Sequence, residues 1–443
     1  MVQGLPTGEL EDARDLALGK ISENLDVQSF DNGDGQITVL TGSGRTLVAG
    51  ATAGTLAYDA SALMTAQRSY PATIGGIFLN GGAVPPPTSD ITTELNSGRI
   101  AAMVEMRDRH LPSMTNQIDQ LAAALRDTVN RAHNRGANTP FGLGVLAGDP
   151  ATMTGTRTFA NPAAAVDLQQ GVTMAILDAT GTAVVAPATI AAGVTTADAI
   201  RAAIDAYAAT APGGGSATWN ADDQMEIRLP PGYRLAFLDN GPAAENGDST
   251  ILFDADGDTA NETYHGLSNF IGLNDLFQTP QLAGVGYATA NNGAQLGISS
   301  TIEVRDDIVA NPDYISRGVL RGTPPNLTLG VGDNLVVQQM AAAFAENISF
   351  AAVTDGPSST TTTLGGYATT ILSYNATATA AADSTQQFEN DLKVGLTDKA
   401  LSVSGVNLDE ELSNMVLFQN AYNAAARVIQ TANELFDELL QIA

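Results

Sequence analysis

The chain has 443 residues, a length that favours two or three domains over one. Its 48 acidic residues outnumber 20 basic ones for a net charge of −28, and the only lysines are Lys20, Lys393 and Lys399. Without a basic footprint, nucleic-acid binding is all but excluded, and docking on an anionic membrane surface is disfavoured. The absence of cysteine removes disulfides, thiolate metal sites and cysteine nucleophiles together.

Apolar residues make up 44% of the chain, enough for real cores, although aromatics contribute only 5% and Trp219 is the sole tryptophan. No run approaches the ~20 apolar residues of a membrane helix. The nearest, Ala183–Val194, is short and interrupted by Pro187. The opening MVQGLPTGELEDARD lacks a basic stretch followed by an apolar one, so no cleavable signal peptide is expected. Export, if it occurs, needs another route.

In chain order, the first predicted helix runs from about Thr7 to Leu25, with Leu10, Ala13, Ala17, Ile21 and Leu25 at three- and four-residue steps. Asn32-Gly33 and Asp34-Gly35 then signal tight turns in a small β element reaching about Ala60. After the loop at residues 85–90, Leu95 to Asn134 reads as a long helix with a hitch at Pro112. Its predicted seam is Leu111, Met114, Ile118, Leu121, Leu125, Thr128 and Ala132, and Arg135-Gly136 stops it. From about Gly142 to Gln281 the chain is strand-and-turn material, interrupted by one helix at Thr196–Ala209. Asp333 or Asn334 caps a later helix reaching about Phe344. A further seam joins Leu364, Tyr367, Ile371, Tyr374, Ala378, Ala381, Phe388 and Leu392, with Thr385 in one register position. The last segment is the most regular. Met415, Phe418, Tyr422, Ala425, Ile429, Ala432, Phe436 and Leu439 step 3-4-3-4 without a polar interruption.

Motifs for catalysis are missing. His110, His133 and His265 lie in no metal-binding spacing, and the two on the long helix are expected to be partly exposed. There is no G-x-S-x-G elbow and no P-loop. Asp254, Asp256 and Asp258 are weak metal candidates, because alternating carboxylates can converge on calcium. The EF-hand pattern fails there, with Thr259 and His265 at its sixth and twelfth positions. An acidic turn is the plainer reading. The C-terminal stripe could be ordinary core. However, its alternating small and large residues also suit packing against helices of neighbouring subunits.

Ser404–Ala443 resembles the C-terminal signature of flagellar rod, hook and hook-associated proteins. The residues that carry the likeness are Gly405-Val406-Asn407-Leu408-Asp409-Glu410-Glu411, Gln419, Tyr422, Ala424–Ala426, Val428-Ile429, Glu434-Leu435-Phe436 and Leu439-Leu440. The NLDEE form and the Leu-Phe-Asp-Glu-Leu-Leu close point to the hook-associated protein 1 family. EDARDLALGKISENLDV, residues 98–136, GLNDLF (272–277) and GDN (332–334) resemble further elements of that family, in the expected order. The family's N-terminal helical segment is not in this sequence, which begins at the D-x-R-D helix.

The expected fold is α+β and multidomain: coiled-coil-like helices from both ends of the chain packed together, around a β-rich inserted middle. The expected domains are 1–141 with 282–403 as a discontinuous helical and mixed body, 142–281 as the inserted β-rich domain, and 404–443 as an amphipathic assembly helix. The assembly interface is expected to comprise Leu408, Leu412, Met415, Phe418, Tyr422, Ala425, Ile429, Ala432, Phe436 and Leu439. The resemblance implies a non-enzymatic, cofactor-free subunit joining the flagellar hook to its filament. It implies type III export, an extracellular location and no nucleic-acid or membrane partner. The implied partners are hook subunits, a second junction protein, copies of itself in a helical tier, and an export chaperone on the C-terminal helix. The alternatives are another axial protein, such as a hook subunit or flagellin-like protein, and a secreted calcium-binding adhesin or enzyme.

Overall fold

The computed structural model describes residues 8–33, 35–58, 60, 69–80, 89–137, 151–239, 249–254, 261–279, 297–330, 332–404 and 408–442. The chain divides into two compact units, Met1–Leu372 and Ser373–Ala443.

The first unit opens with α1 (Gly8–Asn24). Its inner face differs from the expected one. Leu10, Ala13 and Ala17 are exposed, while Leu18 and Leu25 pack on the small core that follows. An antiparallel meander comes next: β1 (Val27–Asp31), β2 (Ile37–Thr41), β3 (Thr46–Ala49) and β4 (Thr52–Ala53). Gly33 and Gly35 take positive φ in the β1–β2 turn, as the tight-turn dipeptides require. The pair β5 (Leu56–Tyr58) and β6 (Ile77–Leu79) completes this β element, whose core is Leu25, Val39, Leu47, Leu79 and Ile91.

The long helix is helix, π-turn, helix: α2 (Gly98–Glu105), a π-helical turn Met106–His110, and α3 (Leu111–Asn134). The hitch expected at Pro112 is this turn. Proline has no N–H to give the carbonyl four residues back, and its ring crowds that carbonyl. The backbone widens instead, and Leu111 N–H bonds the Met106 carbonyl five residues back. On α3 the expected seam holds only at its C-terminal end. Thr128 and Ala132 are buried, but Leu111, Met114 and Ile118 are exposed, and Ser113, Gln117, Asp119 and Gln120 take the buried face.

The β-rich middle is antiparallel throughout. It contains β7 (Ala151–Thr158), β8 (Ala165–Leu168), β9 (Val172–Leu177), β10 (Ala188–Ile190) and β11 (Gly193–Thr196). α4 (Ala197–Ala208) follows, capped by the Thr196 hydroxyl, which accepts from Ala199 N–H at 3.1 Å. Then come β12 (Ser216–Trp219), β13 (Gln224–Leu229), β14 (Arg234–Asp239), β15 (Thr250–Phe253), β16 (Glu262–His265), α5 (Leu267–Ile271) and β17 (Phe277–Gln278). The sheets are ordered β10-β9-β14, β11-β8-β15-β16 and β12-β13-β7. They enclose one core that includes Ile200, Ile204, Met225, Ile227 and an aromatic cluster in which Phe270 meets Phe159, Phe253 and Tyr264 edge-on. Every residue of β9 is buried because its two faces serve different cores. Val172, Met174 and Ile176 face this one, while Ala175 and Leu177 meet Leu320, Leu327 and Leu329.

Those leucines belong to the next segment: α6 (Ile298–Thr301), β18 (Glu303–Val304), α7 (Asp306–Ala310), then the hairpin β19 (Leu320–Thr323) and β20 (Asn326–Leu329). α8 (Leu335–Ala343) follows; Asn334 is its N-cap and the Asp333 carboxylate accepts from Leu335 N–H at 3.0 Å. The pair β21 (Ile348–Phe350) and β22 (Thr360–Thr362) leads into α9 (Leu364–Ser404), and α10 (Leu408–Ile442) follows. Leu364 and Tyr367 are buried with Phe350, against Leu121, Ala124 and Leu125 of α3. Here helices from the two ends of the chain pack together, over the first two turns of α9.

α3 is fastened to the β-rich middle and to the segment that follows it by polar side chains. Asn130 Oδ1 accepts from Leu276 and Phe277 N–H, both at 2.9 Å, and its Nδ2 donates to the Phe277 carbonyl. Asn134 Oδ1 accepts from Asn274 N–H (3.0 Å) and the Ser268 hydroxyl (2.7 Å), while its Nδ2 donates to the Asn130 carbonyl and to Asp275. Asp119, fully buried, accepts from Gly297 N–H, Ser299 N–H and the Ser299 hydroxyl. His133, expected to be partly exposed, is 0% exposed. Its Nε2 accepts from Ser316 N–H at 2.8 Å, so the proton sits on Nδ1, which donates to the Asn274 carbonyl. Burial lowers its pKa to about 4. Histidine satisfied as a neutral donor–acceptor can be core, which its spacing alone does not reveal.

Candidate assembly surface

α10 runs for 35 residues with Asp409, Glu410 and Glu411 in its first turn, where the positive end of the helix dipole favours carboxylates. Leu412, Met415, Phe418, Tyr422, Ala425, Ile429 and Ala432 all lie exposed along it. Phe418 is 70% exposed and Tyr422 76%. The side chains of Leu408, Phe436 and Leu439 lie outside the described residues.

The exposed apolar surface is wider than the expected seam. Val428 and Leu435 are also exposed and stand one position before Ile429 and Phe436; Ala421 precedes Tyr422 in the same way. This third column, repeating every seven residues, broadens the seam to the three-in-seven face of a bundle helix. It was present in the sequence as Ala421, Val428 and Leu435, but a search for two columns passes over it. Val416 and Leu417 add further exposed apolar area. Burying one such large side chain is worth about 1.5–3 kcal/mol, and contiguous apolar surface on this scale marks an interaction site.

α9 carries a second exposed stripe, with Phe388 at 65%, Leu392 at 45% and Leu396 at 59% exposed. Its hydroxyls turn back on their own helix. Thr377, Thr379, Ser384, Thr385 and Thr397 each donate to the carbonyl four residues earlier, at 2.8 to 3.0 Å. Thr385, the polar member of the expected seam, therefore already has its donor satisfied.

The candidate cation site is only partly described. Asp254 is half-buried at the end of β15; Asp256 and Asp258 lie outside the described residues. Among the described residues no group of three acidic, histidine or cysteine side chains is placed to hold a metal ion, and no helix is long and apolar enough to cross a membrane.

Residues 2–144 match the flagellar hook-associated protein FlgK helical domain, and residues 397–442 match the flagellar basal body rod FlgEFG protein C-terminal family. Residues 2–144 thus resemble the FlgK helical domain, and the C-terminal segment resembles flagellar axial proteins. It is 46% identical over 68 residues to flagellar hook-associated protein 1 of Escherichia coli, covering 15% of this chain and 12% of that one. It is 63% identical over 41 residues to the Salmonella typhimurium protein of that name, and 53% identical over 38 residues to that of Bacillus subtilis. Those matches cover 9% of this chain, and 7% and 8% of the respective relatives. The chain thus aligns with a small fraction of the length of these relatives. The flagellar hook junction protein FlgK from Burkholderia pseudomallei aligns over 89% of this chain and 78% of its own, with 18% identity and a TM-score of 0.36. The polar fastenings give the matched helical domain a physical content, since Asp119, Asn130, His133 and Asn134 all lie within residues 2–144.

Proposed function

We propose that this protein is a structural subunit of the bacterial flagellum that joins hook to filament. The supporting observation is α10: its apolar face stands in water along the described length, on a segment matched to an axial-protein C-terminal family. Leu408, Leu412, Met415, Phe418, Tyr422, Ala425, Ile429, Ala432, Phe436 and Leu439 form the assembly interface, widened by Ala421, Val428 and Leu435. The partners are other copies in a short helical tier, hook subunits below and a second junction protein above. Before export an acidic, amphipathic helix of this kind is a ready ligand for a chaperone groove. The net charge of −28 opposes premature self-association. Residues 142–281 act as an inserted, outward-projecting body, and the site of action is the extracellular flagellum. No catalytic step is assigned.

The test is electron microscopy of cells lacking the gene, with flagellin assayed in the medium. Hooks without filaments, and flagellin released, are expected. Filaments still attached to hooks would refute the junction role. A second reading, another axial subunit, is favoured by one observation: the tail family is named for rod proteins. On that reading the purified chain polymerises into long tubes.

A further inference from the structure

We propose that His133 is an acid-sensitive latch that ties α3 to Asn274 and Ser316 at neutral pH and lets go of them in acid. The ring lies among three stretches of chain distant in sequence, and each nitrogen is committed to one of them. Nδ1–H donates to the Asn274 carbonyl, and Nε2 accepts from Ser316 N–H. A neutral imidazole satisfies both bonds in one tautomer only. A proton added to Nε2 turns the acceptor into a donor facing another donor, and bulk solvent does not reach the ring, which is 0% exposed. The Ser316 bond cannot survive in place.

The surrounding charges are few. Arg305, whose guanidinium donates to the Leu273 carbonyl at 2.9 Å, opposes a charged ring, and Asp307 favours one. Asp275, on the same loop as Asn274 and held by Asn134 and Thr156, is pushed upward by its own burial and so is a poor counter-ion. Arg317 adjoins Ser316 in the chain, and Arg135 follows His133 on α3. Burial keeps the closed-state ring neutral to about pH 4, whereas the released ring titrates near 6.5.

The sign follows directly. Between pH ~6.5 and ~4 the open form binds a proton that the closed form does not, so opening becomes more favourable as pH falls. The slope is at most tenfold per pH unit, or roughly 300-fold across the window. Above ~6.5 the latch is fully closed and indifferent to pH. Asp275 works in the opposite direction, since its raised carboxyl gains a proton more readily in the closed form. The core around Phe159, Ile176 and Ile227 contains no member of the latch. The Asn130 bonds to Leu276 and Phe277 carry no titratable group, so release loosens the His133 contact locally and leaves that core folded.

The test uses the full chain. Amide exchange of peptides covering Ser316 and Asn274–Phe277 is measured from pH 7.5 to 4 and corrected for intrinsic rates, alongside Trp219 fluorescence as the reporter of the β-rich core. Protection is expected to fall up to tenfold per unit below about 6.5 while Trp219 emission holds. The C2 proton resonances of the three histidines should give His133 a pKa near 4. In His133→Gln, which keeps a donor and an acceptor but cannot gain charge, the slope should flatten or reverse. The latch is refuted if His133 titrates near 6.5, if protection is independent of pH in the window, or if His133→Gln keeps the wild-type slope. Should that variant fail to fold, the wild-type exchange slope and histidine titration decide alone.

Discussion

Asn134→Ala is the sharpest probe of how the β-rich middle is held. In the native protein all four hydrogen-bonding capacities of the Asn134 side chain are used, and the residue is 5% exposed. Truncation strands Asn274 N–H and the Ser268 hydroxyl, and withdraws a donor from the half-buried Asp275. The Asn130 carbonyl keeps its helical neighbourhood and should lose least. A buried donor left without a partner costs about 1–3 kcal/mol, so two of them with a weakened carboxylate give about 3–5 kcal/mol. Asn134→Asp, of equal size, should do no better, because it replaces a donor to Asp275 with a second carboxylate. The assay is urea unfolding followed by Trp219 fluorescence, with Asn423→Ala on the exposed surface of α10 as control. A loss below about 1 kcal/mol for Asn134→Ala, comparable with the control, would refute the account of the fastening.

Gly136→Ala should destabilise by about 1–3 kcal/mol in the same unfolding assay, since a Cβ there would lie 2.6 Å from Val336 Cγ2 and 2.9 Å from Ser316 Cβ. Ser316→Ala should be near neutral, or slightly stabilising in a thermal melt, because its hydroxyl is buried and has no hydrogen-bond partner among the described residues. Ile429→Asp should leave the Trp219 unfolding transition unchanged yet abolish incorporation into flagella in a complementation assay; normal motility of the variant would remove α10 from the interface. Global stability should fall by about 3 kcal/mol between pH 6.5 and 4 on account of His133, whose pKa is depressed to about 4, and this component should vanish in His133→Gln.

The order of elements was legible because each is written in local chemistry: Asn32-Gly33 for the first hairpin, Thr196 as a cap, Arg135-Gly136 as a stop, the unbroken 3-4 steps of α10. The choice of buried face was not. On α3, Leu111, Met114 and Ile118 look like core, yet Ser113 and Asp119 are buried, because their partners at Asp355 and at Gly297 to Ser299 lie far along the chain, and Gln117 is buried donating to Ser113. Polar burial is decided by such pairings, and hydrophobic periodicity carries no information about them. The burial of His133 is hidden from its spacing for the same reason, since Asn274 and Ser316 lie far along the chain. The width of the α10 stripe, by contrast, was available throughout in Ala421, Val428 and Leu435.

The π-turn before Pro112 makes the long helix a two-phase screw. One residue too many in a turn rotates everything downstream by about 100° relative to an uninterrupted helix. Upstream of the turn, Ile100 and Ala101 face inward near the small β core; downstream, Val129, Ala132 and His133 face the β-rich middle and α8. The two cores therefore take their angular setting from a single backbone step. Deleting one residue among Arg107–Arg109 would restore a regular helix and leave every side chain intact on either side. It would also turn one body a quarter-turn or more against the other. The spacing between Gly98 and Pro112 is thus a gear ratio, and length there matters more than composition.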